Sequence, residues 1–162
     1  MQSHMPDRAS ETDVRLTLND SERKGFFDYG LMLGFLEKVS SGVYVVDPTR
    51  AIEMLLGQVF SKEEQKLTIS EFIRKINERF PVFDNGKYRL QCEQLMSERN
   101  KHWSTHSEHQ VSASLSIALY RLNLSGKIYL DPGADSIDRL DLILPGNQTK
   151  AVSHIRIAGE HL

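Results

Sequence analysis

The spacing of apolar residues changes several times along this chain, and each change predicts an element. Between residues 20 and 40, Phe26, Phe27, Tyr29, Leu31, Met32, Leu33, Phe35, Leu36 and Val39 recur densely enough to cover more than half the circumference of one helix, capped by Asp20 or Ser21. A helix so apolar needs two neighbours or a second chain to bury it. A turn at Ser41-Gly42 and a short apolar run, VYVV, lead to Asp47-Pro48, a cap followed by proline at the first helical position. Ile52, Leu55, Leu56 and Val59 then trace the i, i+3, i+4, i+7 stripe of a second helix, ending near Phe60.

The charged stretch SKEEQK, residues 61–66, reads as a link, followed by a short strand over Leu67–Ile69 and a helix capped by Ser70. Phe72, Ile73, Ile76 and Phe80 share its face, Pro81 stops it, and DNG at 84–86 is a turn. The next helix, about Lys87 to Asn100, places Tyr88, Cys92, Leu95 and Met96 on one side, which makes Cys92 a core residue. After the polar loop KHWSTHSEHQ the stretch LSIALYRLNLSGKIYL, residues 115–130, switches period. Leu115, Ala118, Leu119 and Leu122 step by three and four, whereas after Gly126 the apolar positions Ile128 and Leu130 alternate. A helix over about 112–125 thus runs into a strand over 127–131. A second strand over 139–144 follows the loop PGADSI, with Leu140, Leu142 and Leu144 on one face, and AVSHIRI is expected to form one further short strand.

Three helices followed by a two-stranded hairpin, with the pattern L-x-x-A-L-x-x-L-x-x-x-G-x-I-x-L at 115–130, resemble a winged helix-turn-helix over about residues 67–144. The expected fold is therefore mainly α with a small β-hairpin, an α+β arrangement. A segment over 1–19, expected to be flexible, precedes a helical unit at 20–60, and a tail at 145–162 follows the winged helix.

The resemblance implies recognition, and its DNA-binding members lay the third helix in the major groove. By that analogy Ser116, Tyr120, Arg121 and Asn123 face the bases, and Lys87, Arg89, Arg99 and Lys101 contact the phosphates. Charge changes this picture. The chain carries a formal charge of −2, and residues 85–127 hold six Lys/Arg against three Asp/Glu. The expected wing opposes them: Asp131, Asp135, Asp138 and Asp141 stand against Arg139 alone, and carboxylates at a wing repel phosphate. Two readings stay open, a DNA-binding protein that is regulatory or part of a DNA-processing complex, and a protein-interaction module without direct DNA contact. In either case the helices of 20–60 are expected to join a homodimer or hetero-complex.

No enzyme signature is present, neither a Gly-rich phosphate loop nor G-x-S-x-G nor H-E-x-x-H, and the expectation is a non-catalytic protein without a cofactor. His102, His106 and His109 have the spacing of a metal site on a helix, but their neighbours Trp103, Ser104, Thr105 and Ser107 belong to a loop, so no metal is expected. No apolar run approaches the roughly 20 residues that cross a bilayer. With one cysteine and no hydrophobic leader, the expected location is the cytoplasm.

Overall fold

The structure, a computed structural model, describes residues 19–99, 107–133, 138–146 and 148–159. The segment 1–18, expected to be flexible, lies outside these residues. The described residues form five helices and eight short strands, an α+β fold.

The first helix, α1 (Asp20–Met32), is capped by Asn19, one residue before the expected caps. The Asn19 side chain accepts from the Glu22 N–H at 2.9 Å, and Glu22 accepts from the Asn19 N–H at 2.8 Å. The helix does not continue to Ser40. Gly34 adopts φ +78°, which turns the backbone out of the helix, and Leu36–Ser40 become a strand, β1, paired antiparallel with β2 (Val43–Val46). β-Branched Val39, Val43, Val45 and Val46 favour this extended pairing. The hairpin lies against α1, with Phe27 stacked on Tyr44 at a centroid distance of 4.2 Å.

Asp47 accepts hydrogen bonds from the N–H and the hydroxyl of Thr49, so it fastens the start of α2 (Thr49–Val59) from one residue before Pro48. The stripe Ile52, Leu55, Leu56, Val59 is buried. β3 (Lys66–Thr68) leads into α3 (Ile69–Arg79), whose cap is Thr68 paired with Glu71 in a capping box, in place of the expected Ser70. A turn in which Asn85 has φ +64° joins α3 to α4 (Lys87–Arg99). Then come β4 (Gln110–Val111), α5 (Ala113–Leu124), β5 (Ile128–Asp131), β6 (Leu140–Leu144), β7 (Gln148–Val152) and β8 (His154–Ile157).

Strand pairing departs from the expected hairpin, because β5 and β6 are not neighbours. β5 pairs with β8, and β8 also pairs with β3, giving an antiparallel sheet of order β3-β8-β5. β6 pairs antiparallel with β7 and parallel with β4 in a second sheet. The single strand expected in AVSHIRI is split at Ser153, whose N–H donates to the Asp131 carbonyl at 2.9 Å and so passes the chain from one sheet to the other. Ile155 and Ile157 point inward from β8 and Arg156 points out.

One apolar cluster joins α2, α3 and α5 with β3, β5, β6 and β8, drawing residues from both sides of the 61–66 link. Leu115, Ala118, Leu119 and Leu122 are fully enclosed in it, as their spacing requires. Two helices stand apart: neither α1 nor α4 has a buried residue. Cys92 on α4 is exposed, contrary to the core position expected for it, because α3 and α5 already fill the place beside the core.

Candidate functional site

Helix α5 carries four of the expected contact residues, and its surroundings decide what each can do. Four apolar residues hold one side of it on the core, and β6 packs along another. Ser116 faces that second neighbour. It is fully buried, its hydroxyl donates to the Val111 carbonyl at 3.0 Å and accepts from the Ile143 N–H at 2.9 Å, so it ties α5 to the β4-β6-β7 sheet and does not face a groove. The expectation of a base contact fails here because the chain beyond residue 138 covers this side of the helix. Asn123 is half-buried and its side-chain oxygen accepts from the Leu130 N–H at 3.1 Å, pinning β5 to the end of α5.

Tyr120 and Arg121 remain at the surface. Lys150 of β7 stands over the Tyr120 ring, with its ammonium 5.9 Å from the centroid. Arg121 is 46% exposed, but its guanidinium is held by Glu37 of β1 at 3.0 Å and by Asp47 at the start of α2. Its pKa is raised above the ordinary arginine value, first by the hydrogen bond to Glu37, against partial burial, with Asp47 adding to the rise. A phosphate would have to displace two carboxylates to reach it.

The expected phosphate contacts divide in the same way. Arg89 pairs with Asp84 at 3.0 Å and Glu93 at 2.7 Å. The buried Asp84 also accepts from the Ser112 N–H at 2.6 Å, so this cluster fastens α4 to the start of α5. Lys87 and Arg99 lie exposed on α4, and Lys101 lies outside the described residues. The acids of the expected wing are dispersed as well: Asp131 faces Lys66 at 3.5 Å, Asp138 accepts from the Ser70 hydroxyl at 2.5 Å, and Asp135 lies outside the described residues. His109 is exposed, while His102 and His106 fall outside the described residues. Among the described residues, no group of three His, Cys, Asp or Glu is placed to hold a metal ion, and no helix is long and apolar enough to cross a membrane.

Two surfaces were not foreseen in this form. On α1 and at its C-cap, Phe26, Tyr29, Met32 and Leu33 are exposed, and the adjoining hairpin exposes Val39, Val43, Val45 and Val46. Dense apolar content over 20–40 signalled a partner surface, though not the hairpin that extends it. On the β3-β8-β5 sheet, Lys66, Arg156 and Tyr129 share the open face. The alternation of HIRI was the available signal, and only its pairing partners reveal the row.

These features define a small α+β protein with a closed core, a crowded third core helix and an unburied apolar flank. The chain belongs to the DpdG-like family, whose model matches residues 1–136. No curated protein and no solved structure matches the chain.

Proposed function

We propose that this chain is a non-catalytic, cytoplasmic winged-helix module that works by assembly with another protein chain through α1 and the β1–β2 hairpin. The observation that carries this reading is the exposed apolar residues of those elements, since monomeric proteins rarely leave so many large apolar side chains of two adjoining elements in water. The winged-helix part draws support from the order β3-β8-β5, with β3 between α2 and α3 and the other two strands after α5. In this reading the core takes in α2, α3 and α5 with β3, β5 and β8, with α4 between its second and third helices and the β6–β7 hairpin following the strand after the third.

A second copy of this chain is the first partner to test, because an isologous contact needs only one self-complementary patch. Light scattering from 1 µM to 0.1 mM covers dimers of about −8 to −5.5 kcal/mol. The reading expects the molar mass to double across that range, and Phe26→Asp with Met32→Asp to hold the chain monomeric. A wild-type chain that stays monomeric throughout contradicts self-assembly.

Tyr120 with Lys150 favours DNA binding as a second reading, because an aromatic ring and an ammonium meet where α5 borders β7. In that reading Tyr120, Lys87, Arg99 and Lys150 supply the contacts, Asn123 being held to the Leu130 N–H, and Lys150→Glu lowers affinity for a duplex at low salt. Ser116, Arg121 and Arg89 are already engaged within the chain.

A further inference from the structure

We propose that the open face of the β3-β8-β5 sheet binds single-stranded nucleic acid. Register places Lys66 opposite Arg156 and Arg156 opposite Tyr129, so the three side chains form one row across all three strands. The alternate residues Leu67, Ile155 and Leu130 are buried on the other face, which fixes the row outward. At about 4.8 Å between strands, the row is about 10 Å long. The guanidinium of Arg156 lies 4.9 Å from the Tyr129 ring centroid. Lys66 reaches diagonally to Asp131 at 3.5 Å and is half exposed. Thr68, His154 and Asp131 form the neighbouring row.

This combination has a specific chemistry. A guanidinium laid on an aromatic ring presents a second flat, cationic surface on which a nucleobase stacks, and an ammonium one strand away meets the adjoining phosphate. In the next row the Thr68 hydroxyl caps α3 and the Asp131 carboxylate faces Lys66, which leaves the His154 imidazole as the group that meets a base edge. An unpaired strand fits such a face and a duplex does not, because the bases of a duplex are stacked on one another and cannot lie on the ring and the guanidinium. The site is separate from α1 and from Tyr120 and Lys150, so it stands or falls independently of both readings above.

The test is fluorescence anisotropy of the full chain with labelled oligothymidylate, labelled oligouridylate and a random duplex, at low and moderate salt. The proposal expects binding of a single strand that weakens with salt. Arg156→Glu and Tyr129→Ala should each lower that affinity about tenfold or more, Tyr129→Phe should retain it, and Arg156→Lys should lose part of it because an ammonium has no plane. Lys150→Glu should leave it unchanged. All three positions reach the surface, and circular dichroism checks that each variant is folded. No single-strand binding at low salt overturns the proposal, as does binding indifferent to Arg156→Glu and Tyr129→Ala. A preference for duplex abolished by Lys150→Glu also overturns it and moves the contact to α5. Preference between the two oligomers assigns DNA or RNA to the same site.

Discussion

Phe72 and Phe26 are the same residue on helices of similar length, yet Phe72 on α3 is fully buried and Phe26 on α1 is 58% exposed. The difference lies in what surrounds each helix. α3 presents Ile69, Phe72, Ile73 and Ile76 as one stripe to a core shared with α2 and α5, and its opposite side is charged. α1 distributes apolar residues around its circumference and packs on the β1–β2 hairpin, where Leu36 is buried and Phe27 and Tyr44 are half-buried, with a single tie to α2, Arg50 donating to the Leu31 carbonyl at 2.9 Å, among the described hydrogen bonds. Apolar content therefore serves folding in one region and is left for contact in the other, and the pattern of positions separates the two better than their number does.

The comparison breaks first under core truncation. Phe72→Ala or Leu119→Ala should cost about 3–5 kcal/mol in urea unfolding, through lost burial and the cavity left behind. Phe26→Ala should change stability by less than about 0.5 kcal/mol while weakening self-association. Equal costs at the two sites would erase the distinction.

Polar ties within the core region come next. Asp84→Ala removes one of the two carboxylates that hold Arg89 and the partner of the Ser112 N–H, and should cost about 1–3 kcal/mol. Ser116→Ala leaves the Val111 carbonyl and the Ile143 N–H without their hydroxyl partner and should cost about 1–2 kcal/mol by the same measurement. A Ser116→Ala variant of unchanged stability that lost DNA affinity would restore the groove assignment.

The Arg121 clasp comes last among the polar ties. Because Arg121 is nearly half exposed, solvent screening holds its coupling to Glu37 to about 1 kcal/mol or less in a double-mutant cycle. A larger coupling would make the hairpin an energetic part of the core rather than an appendage to it.

Much of the core region was legible in the sequence. The helices at 49–59, 69–79, 87–99 and 113–124 follow from apolar periods and from turn residues, and the four buried positions of α5 follow from their spacing. The central strand β8 was not legible as such, since a four-residue run gives no sign of partners that lie about 90 residues back at Lys66–Thr68. That missing pairing misdirected the site. Without it, 139–144 took the place of β8, and Ser116 looked free because the sheet that covers it had been assigned elsewhere. The end of α1 was missed for a local reason, a glycine with positive φ inside a continuous apolar period.

Amide hydrogen exchange at low and high protein concentration tests most directly whether α1 and the hairpin are a contact surface. Protection of residues 20–46 should rise only at the concentration where the mass doubles, while α3 and α5 are equally protected at both. Protection of α1 that is already high in the monomer, or a rise confined to α4 or α5, would contradict it.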